Sequence, residues 1–194
     1  MDWTETILHL RDNGYRLPTA GISVKIPQAS DVLVDCYTAC LKTIDEQFVY
    51  INEIQQVAEW LTDNRRKGLL LYGKCGRGKT FMARHVLPLI LYRFTGLVPQ
   101  YFDMTYAVRH TDEVLSNAII ILDDVGTEDK YVEYGTTRHT FAEIVDAAEK
   151  DGKLLIITSN LTRDELLQRY GERTFDRLVK LVRRVLFTGK SLRQ

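Results

Sequence analysis

From Phe48 onward the chain alternates between two hydrophobic periods. Tyr50, Ile51, Ile54, Val57, Ala58 and Leu61 recur at helical spacing, which predicts an amphipathic helix ending at the polar cluster TDNRRKG. GLLLYG at 68–73 is a short apolar run between glycines and suits a buried strand. The alternation then repeats: a helix over about 79–94, a strand at 98–102, a short helical segment near 104–115, a strand at 118–122, a helix over about 137–150 and a strand at 153–158. Helical segments in 162–182 and a last strand at 184–188 follow. Strands that are apolar throughout and separated by helices predict a parallel sheet covered on both faces, a three-layer α/β domain. Upstream, residues 1–47 show one helical stretch, with Val32, Cys36, Ala39, Leu41 and Ile44 on one face, and are expected to form a small N-terminal appendage.

Composition narrows the class. The 194 residues suffice for one domain with a substantial core and are too few for two full-sized ones. The 26 basic and 26 acidic side chains cancel, which excludes a surface that is polycationic throughout and makes any nucleic-acid contact local. That neutral total hides segregation: residues 1–62 carry nine acids and four bases, 63–93 one and eight, 94–162 twelve and five, and 163–194 four and nine. No apolar stretch reaches the roughly 18 residues of a membrane span. The N-terminus lacks a basic segment before an apolar run, and the three cysteines are odd in number, so a cytoplasmic protein without disulfides or membrane segments is expected. Cys36 and Cys40 have neither a second pair nor a His partner for zinc and read as small core residues.

GKCGRGKT at 73–80 has the form G-x-x-x-x-G-K-[ST] between a predicted strand and a predicted helix, the setting of a phosphate-binding loop. Gly73, Gly76 and Gly78 let the backbone fold around a phosphate without Cβ clashes, so that successive N–H groups and a helix N-terminus point inward. Lys79 supplies positive charge to the β and γ phosphates of a nucleotide, and the Thr80 hydroxyl is placed to ligate Mg²⁺. Cys75 and Arg77 are expected to give backbone contacts only, and Lys74 and Phe81 complete the binding segment. IIILDDVG at 119–126 ends an apolar strand in two carboxylates: Asp123 is expected at the Mg²⁺ ion, as the Walker B acid is in P-loop NTPases, and Asp124 is expected to orient or deprotonate a water. LLIITSN at 154–160 delivers Asn160 to the same crevice, to hold that water or contact the γ-phosphate, with a helix cap as the structural alternative.

These three motifs, with YGERTFDRL at 170–178 and TGKSLR at 188–193, make the stretch 48–194 resemble the AAA+ ATPases of the bacterial and phage helicase-loader type (DnaC-like), a family that also includes IstB-type transposition helpers. The resemblance implies a P-loop NTPase of AAA+ type, using ATP and Mg²⁺; as a departure from many members, no separate helical lid is expected. It implies that Asn160 is sensor 1, Arg177 an arginine finger reaching the ATP of a neighbouring subunit, Arg173 its companion and Arg193 the sensor 2 arginine. It also places Phe48 to Asn52 near the base, with Phe48 or Tyr50 packing on it. One departure is Asp124, where Glu is the usual AAA+ residue, which favours a slow switch.

The function expected on this basis is an ATP-dependent, slowly hydrolysing factor, oligomeric in its ATP state, that loads a replicative helicase onto single-stranded DNA. A transposase helper is the alternative within the family. A nucleotide-gated interaction protein with little hydrolysis and a monomeric P-loop kinase are the alternatives outside it, the kinase being disfavoured because the region after the Lys79 helix is short and apolar. Tyr106, Tyr131 and Tyr134 are read as surface tyrosines, with base stacking as the other reading.

Overall fold

In the computed structural model, which describes residues 3–15, 19–128, 131–133, 136–189 and 191, the alternation folds as one parallel sheet between two helical layers. Its strands are β1 (Gly68–Gly73), β2 (Gln100–Asp103), β3 (Ile119–Asp123), β6 (Leu154–Ser159) and β7 (Val182–Phe187), in spatial order β2-β3-β6-β1-β7, and a separate antiparallel hairpin joins β4 (Tyr131–Glu133) to β5 (Thr136–Arg138). The uniformly apolar strands are explained by the two cores. Leu69, Leu71, Ile119, Ile121, Ile156 and Val185 face one layer, whereas Leu70, Ile120, Leu122, Leu155 and Ile157 face the other.

The first layer consists of α2 (Ala29–Lys42), α3 (Asn52–Thr62) and the helix that follows the phosphate loop. That helix begins as α4 (Lys79–Phe81), widens into a π turn over Met82–Val86 and continues as α5 (Leu87–Thr95). Pro88, near the start of α5, has no N–H to give and crowds the carbonyl four residues back, which accounts for the widening. The Cys36 and Cys40 thiols lie 3.8 and 3.7 Å from the Val86 and His85 carbonyls of this turn. Both are half-buried against the first core, and burial, reinforced by Cys40, pushes the Cys36 thiol up to about 11. The second layer holds α6 (Met104–Ala107), α7 (Thr111–Leu115), α8 (Thr140–Asp151) and α9 (Arg163–Leu181). A Thr162–Glu165 capping box starts α9, and a kink at Gly171 divides it.

Three expectations change. The boundary at residue 47 is not a boundary in packing, because Val24, Ile26, Ala29, Leu33 and Tyr37 lie in one core with Ile54 and Leu69. Ile26 N–H donates to the Leu61 carbonyl (3.0 Å) and Asn64 N–H to that of Val24 (3.1 Å). Among the described residues ahead of 47, α1 (Trp3–Asp12) buries none of its residues. The second change is the hairpin ahead of α8, which delays the helix expected from residue 137 to Thr140. The third is the start of β7 at Val182, two residues early, because Val182 pairs with Gly68 at the foot of β1. Among the described residues no helix is long and apolar enough to cross a membrane.

Candidate active site

The loop between β1 and α4 sits at the carboxyl edge of the sheet, where the strand ends and a helix N-terminus converge. Gly76 and Gly78 both have positive φ, 79° and 85°, and a Cβ on Gly78 would stand 2.7 Å from the Tyr37 hydroxyl, so this turn tolerates no side chain there. Lys79 is 4% exposed, and its ammonium donates to the carbonyls of Gly73 (2.7 Å) and Lys74 (2.8 Å) and to Asn160 Oδ1 (2.9 Å).

The strand order decides what Lys79 meets. β6 lies between β1 and β3, so Asn160 at its end stands between the lysine and the two aspartates. Asn160 Nδ2 donates to Asp124 Oδ1 at 3.1 Å, completing a line Lys79–Asn160–Asp124. Asp124 has a left-handed backbone (φ 53°), and its N–H is held by the Thr158 hydroxyl at 2.9 Å. Its carboxyl is raised above its ordinary value, first by burial and then by Asp123 and Asp103, against the lowering pull of Lys79 and the Asn160 amide.

Asp123 is 3% exposed and receives hydroxyl donors from three elements: Thr80 at 3.0 Å, Tyr101 on β2 at 2.7 Å, and Thr158 on β6. The Arg84 guanidinium stands 4.9 Å over the Tyr101 ring. Burial and the Asp123 carboxylate push the Tyr101 phenol above its ordinary range, which keeps it a donor. A serine-class hydroxyl and a carboxylate within hydrogen-bond distance, beside a phosphate loop, are the hard oxygen donors that Mg²⁺ takes together with phosphates. The residues present therefore fit both a nucleotide and its metal.

The cleft in front of the loop has a volume of about 1130 Å³. Residues 75–81, Asp124 and Asn160 line one side; Tyr37, Leu41, Ile44, Gln47 and Val49 line the other. The far wall thus comes from α2 and the segment after it, and Tyr37 and Val49 stand at the cleft in place of the expected Phe48 and Tyr50. Phe48 instead packs its ring on Tyr37 at 5.3 Å and on Tyr50 at 6.4 Å. Arg77, which also lines the cleft, pairs with Glu53 (3.5 Å), itself 4% exposed and accepting from Thr188 N–H at 2.8 Å.

The C-terminal arginines lie elsewhere. Arg177 and Arg173 follow the kink of α9 and do not line the cleft. Arg177 is paired with Asp146 and, at 3.4 Å, with Glu149, both on α8, and Arg173 is exposed. Arg193 and Tyr134 lie outside the described residues, as does the side chain of Tyr131. Tyr106 stacks on His110 at 3.9 Å and donates to Glu113 at 2.9 Å, as a surface tyrosine does. Sequence reasoning missed Tyr101, Thr158 and Tyr37. Thr158 directly precedes the Ser-Asn pair and was the most findable, whereas Tyr101 and Tyr37 become visible only once strand order and helix packing are known.

The fold is similar to that of several solved structures, a helicase loader and a replication initiator among them. The crystal structure of the DnaC helicase loader matches over 78% of this chain and 98% of its own, with 19% identity and a TM-score of 0.60. DnaI matches over 86% and 100%, with 16% identity and a TM-score of 0.61. The replication initiator DnaA bound to AMPPCP and single-stranded DNA matches over 81% of this chain and 51% of its own, with 17% identity and a TM-score of 0.54. No family model and no curated protein matches the sequence. The fold is the one these solved structures share.

Proposed function

We propose that this chain, a DnaC-like AAA+ fold with a complete phosphate loop, is an ATP-dependent assembly factor that hydrolyses slowly and delivers a replicative DNA helicase to single-stranded DNA. The observation that carries the reading is the hydrogen-bonded line from Lys79 through Asn160 to Asp124 across the mouth of the loop, with Asp123 buried behind it. The likeness to loader structures supports the choice of partner, and the DnaA likeness supports nucleotide and DNA as its ligands.

On this reading the backbone of residues 73–81 cradles the phosphates, and Lys79 exchanges a loop carbonyl for a phosphate oxygen. Mg²⁺, held by Thr80 and Asp123 when bound, would offset the phosphate charge. Tyr101 and Thr158 keep the Asp123 carboxylate aimed at Thr80. Asp124 accepts the proton of the attacking water, and the Asn160 amide orients both that water and the carboxylate. An aspartate is one methylene shorter than glutamate, and its short reach supports slow turnover. Arg177, held within its own chain by α8 carboxylates and remote from its own cleft, is assigned to the cleft of a neighbouring subunit, so hydrolysis follows assembly, in the cytoplasm.

Light-scattering size analysis with Mg²⁺ and a non-hydrolysable ATP analogue, with and without single-stranded DNA, tests this. Nucleotide should drive a monomer to a defined oligomer, and DNA should enhance that shift. Full specific ATPase activity from a strict monomer, independent of concentration, would remove the reading. ATP-driven assembly with no hydrolysis at any concentration would leave a nucleotide-gated interaction protein.

A further inference from the structure

The turn that feeds β1, Asp63–Lys67, lies at the end of the sheet opposite the cleft and displays three consecutive cations. Arg65 and Arg66 both adopt left-handed backbone, φ 50° and 58°, a conformation that glycine or asparagine takes readily and a longer side chain takes at a cost. The turn is firmly built. Buried Asn64 accepts from Val24 N–H (2.8 Å) and Arg66 N–H (3.0 Å) and donates to the Ile22 and Lys67 carbonyls (3.1 Å each), and the Trp60 indole donates to the Lys67 carbonyl (2.8 Å). None of these bonds uses an arginine side chain.

Elsewhere Arg77, Arg169, Arg177 and Arg183 each meet a carboxylate. Arg65, Arg66 and Lys67 are exposed, and no described residue pairs with their side chains. Further cations share the edge. The Arg66 carbonyl would touch a Cβ on Gly21 at 3.1 Å, and the neighbouring Ala20 carbonyl one on Gly152 at 2.9 Å, beside Lys153. Lys180 closes α9 just before Val182, the strand partner of Gly68. Of the nearby acids, Asp63 is engaged by the Arg65 N–H at 2.9 Å, and Asp151 ends α8. Two of these cations, Arg65 and Arg66, are thus kept on a rigid turn in a backbone conformation that does not suit them, with no partner among the described residues. Observed strain of this kind is a pointer to function.

We propose that this edge binds the phosphate backbone of nucleic acid, with Arg65, Arg66 and Lys67 at its centre and Lys180 as a flank; Lys153 is instead engaged by the Asn117 carbonyl (3.0 Å). The choice of nucleic acid as the polyanion rests on the DNA-handling reading above. Binding by cations alone is sequence-neutral and strongly salt-dependent.

The test compares the full chain with the Arg65→Asn/Arg66→Asn double variant by fluorescence anisotropy, on a labelled oligothymidylate and on a duplex of equal length, across a salt series. Each lost phosphate contact lowers the slope of log affinity against log salt by roughly 0.7 on single strands and 0.9 on duplex, so the double variant should lose about 1.4–1.8 in slope. Affinity should fall at least about tenfold at low salt. Melting temperature should stay or rise, because asparagine accepts the left-handed backbone, and affinity for a fluorescent ATP analogue should not change. Whichever DNA form shows the larger loss is the one this edge holds. An unchanged slope, wild-type protein that ignores both DNAs, or an affinity loss matched by a fall in melting temperature overturns the proposal. Failure of wild-type protein to assemble with ATP would instead remove the loader reading and leave this result standing.

Discussion

Asp124 combines a left-handed backbone with a carboxyl raised above its ordinary 3.8. A folded-state pKa above the unfolded one means that the folded chain holds the proton more tightly, so stability falls as pH rises through that value. At neutral pH the ionised carboxylate is therefore a net cost to the fold, which the proposed role as base to the attacking water would account for. Asp124→Asn should lower ATP turnover by about 10²–10⁴ while melting temperature at neutral pH stays or rises. A fall in both would assign Asp124 to structure instead. The same shift moves the acidic limb of the wild-type pH–rate profile upward from the ordinary aspartate range, with activity lost as pH falls and Asp124 takes its proton. Tyr101 acts one step back: its hydroxyl donates to Asp123, so on the proposed reading it positions the carboxylate that would hold Mg²⁺.

Helix α9 shows how one residue can divide an element between two tasks. Before the kink, Tyr170 donates to Glu128 at 2.5 Å and Arg169 pairs with it, tying the helix to the loop after Asp123 and Asp124. After the kink, Arg177 meets Asp146 and Glu149 on α8. Gly171, at φ 79° and ψ 160°, joins the halves in a region essentially restricted to glycine. An added Cβ would meet nothing within 4 Å, so the cost of a side chain is one of backbone alone. Gly171→Ala should lower stability by about 1–3 kcal/mol in denaturant titration. A neutral result would show that α9 straightens freely, and with it the aim of Arg177.

For the molecule as a whole, the proposed reading takes the phosphate loop, Asp123, Asp124 and Asn160 from one chain and Arg177 from the next. Arg177→Ala should leave nucleotide affinity of the isolated chain unchanged and remove the rise of specific ATPase activity with protein concentration, lowering turnover in the assembled state at least about tenfold. Concentration-dependent activity that survives the change would place Arg177 in the α8–α9 ion pairs only. The segregated charge also gains a location. The basic run 63–93 splits between the two ends of β1, with Lys79 and Arg77 at the cleft and Arg65, Arg66 and Lys67 at the opposite edge.

The layered architecture and the phosphate loop were legible in residue order because both are local. A buried parallel strand must be apolar on both faces, and a loop around phosphate must place glycines, lysine and threonine at fixed intervals. Asp123, Asp124 and Asn160 were legible for a related reason, since each follows directly on such a strand. Three things were not local and needed the packed chain. The insertion of β6 between β1 and β3 lets Asn160 bridge Lys79 and Asp124. Tyr101 reaches Asp123 across a strand pairing that no spacing within the sequence encodes. The far wall of the cleft comes from α2 and the segment after it; successive turns of α2, at Ala29, Leu33 and Tyr37, commit to a core assembled from residues tens of positions away. Periodicity states that a face is apolar; which face it meets is settled by the packing of the whole chain.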